Sequence, residues 1–145
     1  MTADVTTGRC LCGDIRFEYR DAPPKTVHCH CETCRRHCSS PFSTFLSLDK
    51  NLFRYTKGTP VGYWSSPGVE RTHCGRCGSP ISYEMASTND FAIFACTLDD
   101  PRPVTPDRHV NTAEQMPWIE IADALPRYEH FSINATPVSY GPRRS

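Results

Sequence analysis

The 145-residue sequence has no net charge and no long apolar run. No apolar stretch approaches the roughly 18 residues that cross a bilayer, and the N-terminus lacks the basic and then apolar pattern of an export signal. We therefore expect a soluble, cytoplasmic protein. Sixteen basic residues balance sixteen acidic ones, which argues against nucleic acid or an anionic membrane surface as the main partner.

Lysine is scarce, since thirteen of the sixteen basic residues are arginine. The planar guanidinium group suits carboxylate and phosphate, so recognition of a small anion is compatible with the neutral chain. A solvated surface explains most of these arginines equally well.

Cysteine, in contrast, is abundant, with nine residues. In a chain without an export signal, thiols that bind metal are a better explanation than disulfides, and an odd number cannot pair completely. Cys38 and Cys96 stand apart from the others. The remaining seven form three groups, namely Cys10 with Cys12, Cys29 with Cys31 and Cys34, and Cys74 with Cys77.

The central group carries three thiols within six residues, Cys29 to Cys34. Zinc binds thiolate at about 2.3 Å, and three protein ligands with one open position are typical of catalytic zinc. The alternative is that Cys38 or Cys96 supplies a fourth sulfur and makes the site closed and structural. His30 should face away from the metal, because alternate residues of an extended segment point to opposite sides.

The pair Cys74-x-x-Cys77, followed by Gly78, needs two further ligands. Cys10 and Cys12 are the natural donors, because residues two apart in an extended segment point the same way, with Leu11 facing the core. Four thiolates predict a closed, structural site. A redox pair, an iron–sulfur ligand set and a nucleic-acid-binding zinc ribbon are the alternatives.

Short alternating segments between turn residues predict a mainly β protein with little helix. One helical turn is expected over 32–37, and a long ordered loop over 98–117. Residues 1–133 should form a single domain and 134–145 a C-terminal tail. Residues 21–24, with two prolines, should end the first of the predicted strands, which cover 14–20, 42–48, 53–56, 61–65, 69–73, 80–84 and 91–97.

The motifs also occur in a recognisable order. They are Gly8-x-Cys10-x-Cys12-Gly13, Cys29-His30-Cys31-x-x-Cys34-Arg35-Arg36, Pro41-Phe42, Cys74-x-x-Cys77-Gly78-x-Pro80, Leu98-Asp99-Asp100-Pro101, His109, Pro117-Trp118 and Pro126-x-Tyr128. Over about residues 6–129 this order resembles the glutathione-dependent formaldehyde-activating enzyme (GFA) family, which includes the domain of centromere protein V. The resemblance implies a β-tent of stacked antiparallel sheets stapled by two zinc ions.

The resemblance further implies a division of labour between the cysteines. The structural ligands correspond to Cys10, Cys12, Cys74 and Cys77, and the catalytic ligands to Cys29, Cys31 and Cys34. This agrees with the partition that ligand counting gives. The implied activity is that of a carbon–sulfur lyase of the S-(hydroxymethyl)glutathione synthase type, which adds glutathione to formaldehyde.

Four residues are candidates for substrate binding. Arg35 and Arg36 are candidate partners of a substrate carboxylate, or else they compensate the charge of three thiolates on one zinc ion. His109 and Trp118 match positions in the family's long loop and are candidate pocket residues, with core packing as the alternative. Cys38 and Cys96 are departures from the residues we expect in relatives.

The expected partners are a small-molecule thiol such as glutathione and a small aldehyde, with neither nucleic acid nor membrane. Two other functions remain open on the sequence. One is a zinc-binding adaptor module of the same fold without catalysis, and the other is an enzyme of this fold with a different thiol or electrophile.

Overall fold

The computed structural model describes residues 4–21 and 25–131. The predicted tail over 134–145 and most of the predicted turn over 21–24 lie outside these ranges. The helices in the described part are α1 (Glu32–Cys38) and the 3₁₀ segments Lys50–Leu52, Ala95–Thr97 and Thr112–Glu114. The strands there are β1 (Val5–Arg9), β2 (Arg16–Arg20), β3 (Lys25–Cys29), β4 (Ser43–Asp49), β5 (Phe53–Lys57), β6 (Val61–Ser66), β7 (Val69–His73), β8 (Pro80–Met85), β9 (Asp90–Phe94) and β10 (Arg108–Val110).

The mainly β class is confirmed, with 43% strand and 13% helix among the residues that the structure describes. The reason is visible in β2, where Phe17 and Tyr19 are buried while Arg16 and Arg20 are exposed. Such alternation places apolar side chains on one face of a strand and charged ones on the other. No helix of the described chain is long and apolar enough to cross a bilayer.

The chain divides into two compact units. The first consists of Met1–Lys25 and Leu46–Val104, and the second of Thr26–Phe45 and Thr105–Ser145. Strand β4 begins in the second unit and continues into the first. The single domain expected over residues 1–133 stays a prediction.

The first unit is built from antiparallel strands. Strands β1, β2 and β5 form one three-stranded sheet, and β6, β7, β8 and β9 pair in sequence. Phe17, Leu46, Ile81 and Ile93 lie in its core, each at most 1% exposed. Burying a side chain of this size stabilises the fold by about 1.5–3 kcal/mol.

The second unit contains the parallel pair β3 and β10, in which His109 lies beside His28 and Val110 beside Cys29. Helix α1 follows β3 directly. The Sγ of Cys31 caps its N-terminus by accepting the Cys34 amide. At the C-terminal end Ser39 takes a left-handed conformation with φ of 50°. The three clustered cysteines therefore occupy one strand-to-helix corner.

The predicted orientation of Leu11 is wrong, since its side chain is 79% exposed. Strand β1 ends at Arg9, and Cys10 enters a turn in which the Gly13 amide donates to the Cys10 carbonyl. Alternation along an extended strand therefore does not apply at Leu11. The cysteines on either side are brought together by the turn.

Two element predictions also need correction. The stretch 98–117 is not without regular structure, because it contains β10 and the segment Thr112–Glu114. The strand expected over 91–97 ends at Phe94. There the chain tightens into a 3₁₀ turn in which the Thr97 hydroxyl donates to the Phe94 carbonyl at 2.6 Å.

We predict that Gly8→Ala destabilises the first unit. A Cβ at this position would overlap the Phe17 ring and lie 2.6 Å from the Thr97 carbonyl oxygen. Overpacking of this kind costs about 1–3 kcal/mol in free energy of unfolding, which urea denaturation measures. The control is Val5→Ala in the same strand, where the side chain is 47% exposed. Equal loss in both variants would contradict the packing argument.

Candidate metal centres

The first unit contains four cysteine sulfurs suited to a single metal ion. The Sγ atoms of Cys10, Cys12, Cys74 and Cys77 all lie within 4.8 Å of one another. The Sγ of Cys12 is 3.6 Å from that of Cys10 and 3.8 Å from that of Cys74. Tetrahedral ligands at 2.3 Å from zinc lie about 3.8 Å apart. This donor set therefore fits a closed, four-coordinate ion.

Two tight turns position these sulfurs. Gly13 and Gly78 have φ of +83° and +79°, a conformation that favours glycine, and each follows a cysteine of the cluster. The turns direct backbone amides at sulfur. The Ile15 amide donates to the Cys10 Sγ at 3.3 Å, and the Arg76 amide donates to the Cys74 Sγ at 3.4 Å. Such donors stabilise thiolate over thiol.

Two of these thiols, Cys77 and Cys12, have pKa values that are shifted in opposite directions. Hydrogen bonds from Ser79 lower the pKa of Cys77 to about 5. The Asp14 amide lowers the pKa of Cys12, but burial and the neighbouring thiols raise it more, to about 11. At neutral pH Cys77 is therefore a thiolate while Cys12 is protonated. A metal ion that binds all four sulfurs has to displace the remaining protons.

The second unit contains the three-thiol group. The Sγ atoms of Cys29, Cys31 and Cys34 lie within 4.8 Å of one another, and each residue is at most 4% exposed. No fourth Cys, His, Asp or Glu within 4–21 and 25–131 joins them. Neither Cys38 nor Cys96, the alternatives raised by the sequence, belongs to the group. The donor set is that of a three-ligand metal centre.

The environment of Cys29 opposes ionisation of its thiol in the absence of a metal. The other two thiols, through hydrogen bonds with Cys29, and then burial raise its pKa well above the usual value. A metal ion would offset this effect, since it coordinates the deprotonated sulfur. The amide of the Asn111 side chain also donates to the Cys29 Sγ, at 3.3 Å. Asn111 is 7% exposed and has a left-handed backbone with φ of 57°, which asparagine tolerates.

Arg35 and Arg36 follow the last of these thiols but have different surroundings. The Nε of Arg35 donates to the His30 carbonyl at 3.2 Å, and its Nη1 lies 3.6 Å from the Met116 sulfur. The side chain of Arg36 is 78% exposed and pairs with Glu32 one turn earlier. Arg36 is therefore the more accessible of the two cations.

His109 and Trp118 also differ from each other in their exposure to solvent. His109 is fully buried, with Nδ1 2.8 Å from the His30 Nε2 and Nε2 2.9 Å from Asp123 Oδ2. Trp118 is 71% exposed. His30 is fully buried as well and is not part of the three-thiol group, consistent with a side chain facing away from the metal.

Sequence reasoning missed Asn111 and Asp123. Asn111 lies 82 residues after Cys29, and Asp123 lies 14 residues after His109. No local motif links either residue to its partner. Only the pairing of β10 with β3 brings Asn111 to the thiol group, and that strand lies within the stretch predicted as loop.

Comparisons with known proteins agree with this geometry. Residues 5–114 match the model of the family described as glutathione-dependent formaldehyde-activating enzyme. An uncharacterized lyase of Schizosaccharomyces pombe is 40% identical over 105 residues, which are 71% of this chain and 75% of that protein. A crystal structure of a Rhodobacter sphaeroides protein has a TM-score of 0.58 at 16% identity. The match covers 83% of this chain and 98% of that one, and it supports the fold alone.

We predict that Cys31→Ser loses one metal ion and stays folded, whereas Cys77→Ser loses the fold of the first unit. Cys10 and Cys74, which share the site with Cys77, lie in the core of that unit. Metal binding there contributes directly to folding. Metal per chain and amide NMR dispersion measure the two effects. Cys96→Ser, an exposed thiol, is the control. Equal damage from the two metal-site variants would disprove the division.

We predict that Asn111→Asp weakens metal binding at the three-thiol group. The change keeps the side-chain shape but replaces the donor to the Cys29 Sγ by an anion. Loss of such an outer partner lowers metal affinity about 10- to 100-fold. The sulfur-to-cobalt absorption of the Co²⁺ form and competition with a chelator measure the effect.

Asn111→Gly separates this effect from backbone strain, because glycine keeps the left-handed conformation and lacks the donor. Asn111→Gly should also lower the metal affinity, but by less than Asn111→Asp does. Asn51→Asp, at an exposed asparagine, is the matched control. Wild-type affinity in both Asn111 variants would show that the N–H to sulfur contact is unimportant.

Proposed function

The chain belongs to the glutathione-dependent formaldehyde-activating enzyme family, and from this membership we propose that it is a zinc-dependent carbon–sulfur lyase of the S-(hydroxymethyl)glutathione synthase type. Two zinc ions per chain are part of the proposal. The four-thiol group is assigned the structural ion and the three-thiol group the catalytic one.

One observation carries the proposal: three buried thiols within 4.8 Å of one another, with no fourth Cys, His, Asp or Glu joining them in the described chain. A structural site normally has four protein ligands, and a catalytic site keeps one position for substrate. The lyase named from Schizosaccharomyces pombe supports the reaction class.

The reaction joins a thiol to an aldehyde. A carbon–sulfur bond forms at the carbonyl carbon, and the thiol proton ends on the carbonyl oxygen, so no oxidant or reductant is needed. When bound at Cys29, Cys31 and Cys34, zinc would supply a Lewis-acidic centre that favours the deprotonated substrate thiol. Asn111 fixes the Cys29 sulfur through its amide donor. Burial of the three cysteines limits competing water.

Among Arg35, Arg36, His109 and Trp118, we assign direct contact with the substrate to Arg36 and Trp118 and supporting roles to Arg35 and His109. Arg36 and Trp118 are accessible, so they are suited to direct contact with a peptide-like thiol and its carboxylates. Arg35 is held against the His30 carbonyl and adds positive charge close to the thiols. His109 is fully buried and acts by fixing His30.

The cellular location of the protein and its reaction partners are part of the same proposal. A cytoplasmic location would keep the nine cysteines reduced. The proposed partners are glutathione and formaldehyde, or a related thiol and small aldehyde. Nucleic acid and membranes are not among them, because the chain has no net charge.

A zinc-binding adaptor without catalysis is the second candidate. It is favoured by apolar exposure on β6, which pairs with β7 alone among the strands of the first unit. There Tyr63 and Trp64 are 58% and 59% exposed. Exposed aromatic residues of this kind often mark surfaces that bind other proteins.

We predict that the metal-loaded protein accelerates exchange between glutathione and S-hydroxymethylglutathione. Exchange NMR on an equilibrium mixture of glutathione and formaldehyde measures the rate. Cys31→Ser should abolish the acceleration by removing a metal ligand, and Cys96→Ser should retain it. Glutathione alone should shift the resonances of Arg35 and Trp118.

Replacing glutathione by cysteine or 2-mercaptoethanol tests the alternative of a different thiol. A fully metal-loaded protein that accelerates exchange with none of these thiols, and whose Arg35 and Trp118 resonances do not respond, is not the proposed lyase. That outcome favours the adaptor.

A further inference from the structure

Besides the three-thiol group, the second unit contains a group of potential metal ligands that offers nitrogen and oxygen instead of sulfur. One ligand atom from each of His28, His109 and Asp123 lies within 4.8 Å of the other two. His28 precedes Cys29 in β3. Because successive side chains of a strand point to opposite faces, this group lies on the face of β3 opposite Cys29.

The fold determines how these residues meet. The parallel register of β3 and β10 places His109 beside His28. The backbone of His109 is fixed on its other side, where its amide donates to the Pro126 carbonyl and its carbonyl accepts the Tyr128 amide. Asp123 belongs to the segment between β10 and these residues, and its Oδ1 accepts the Leu125 amide. The three side chains thus come from two paired strands and one anchored loop.

Each imidazole has an outer partner on one nitrogen. The Nδ1 of His28 is 2.7 Å from the Thr44 hydroxyl, and the Nδ1 of His109 is 2.8 Å from the His30 Nε2. Histidines that bind metal usually have such a partner, which fixes the ring and the tautomer. The Nε2 of His109 is hydrogen-bonded to the Asp123 carboxylate, and a metal ion would take the place of the proton between these two atoms.

The distances suit a coordination sphere. The Nε2 of His109 and the Oδ2 of Asp123 are 2.9 Å apart. Two ligands at about 2.0–2.2 Å from one ion and at right angles lie about 3 Å apart. His28 is only partly buried, and its ring lies against that of His109, with the ring centroids 4.8 Å apart. The Asp123 side chain is 30% exposed and gives the group a solvent side.

One cation lies nearby. The Nη2 of Arg127 is 3.9 Å from Asp123 Oδ1, longer than a hydrogen bond. Its guanidinium group donates instead to the Ile121 carbonyl and the Gln115 side-chain oxygen. Arg127 is therefore held mainly by neutral acceptors, and His109 is the closer partner of the Asp123 carboxylate.

We propose that His28, His109 and Asp123 bind a divalent transition-metal ion at a site separate from both thiol groups. Two imidazoles and one carboxylate suit Fe²⁺, Mn²⁺, Co²⁺, Ni²⁺ or Zn²⁺, and they leave positions for water or a small anion. The site does not depend on the proposed lyase activity. Its occupancy is measurable by metal binding alone.

The test uses the full chain loaded with two equivalents of zinc, which fill the stronger thiolate sites first, and then titrated with Co²⁺. We expect one additional equivalent of cobalt with weak absorption and no sulfur-to-cobalt charge transfer. Asp123→Asn and His28→Gln should each weaken this binding about 10- to 100-fold, at least as much as loss of an outer partner. Asp107→Asn and His130→Gln are matched controls, since both residues are exposed and lie outside the group.

Three outcomes would overturn the proposal. They are absence of an additional equivalent, appearance of sulfur-to-cobalt charge transfer with it, and undiminished binding in Asp123→Asn. Should that variant fail to fold, NMR of the wild-type chain still decides. Co²⁺ must then selectively broaden the ring resonances of His28 and His109, and uniform or absent broadening refutes the site.

Discussion

Tetrahedral convergence of sulfur is the constraint on which the first unit depends. Cys10 and Cys12 come from the turn after β1, and Cys74 and Cys77 come from the turn after β7, 62 or more residues later. Cys10 and Cys74 also lie in the apolar core. Four thiols in such surroundings do not all ionise without a counterion, as the opposite shifts in the pKa of Cys12 and Cys77 indicate. A cation held by all four sulfurs would therefore couple the closure of two turns to the packing of the core.

Strand β3 supports different donor chemistry on its two faces. Cys29 receives the Asn111 amide, while His28 contacts the Thr44 hydroxyl and stands beside His109. The period of two along a strand makes this separation possible within adjacent residues. Soft thiolates and harder nitrogen and oxygen donors prefer different ions. With the proposed assignments, the two faces of β3 in the second unit would favour different metal ions.

The sequence predicted the cysteine groups, including the distant grouping of Cys10 and Cys12 with Cys74 and Cys77, but it did not predict partners that carry no motif. The three groups of cysteines are short motifs, and alternation in segments such as β2 follows directly from burial. The prediction that Leu11 faces the core was wrong, because this residue lies in a turn and not in the extended strand that the prediction assumed. Asn111 and Asp123 carry no local signal, since their roles depend on the three-residue strand β10, which is too short to produce a periodic pattern. Pairings of distant segments that no motif marks, such as that of β10 with β3, have to be observed.

The first unit is interrupted in the chain by residues 26–45. On a ribosome, Cys29, Cys31 and Cys34 emerge within six residues of one another, whereas Cys10 and Cys12 wait for more than sixty residues to be translated before Cys74 and Cys77 follow. The nascent polypeptide therefore contains the complete three-thiol group at a stage when only two cysteines of the four-thiol group have been translated. Translation order would therefore make the three-thiol group available to a metal ion before the first unit has closed.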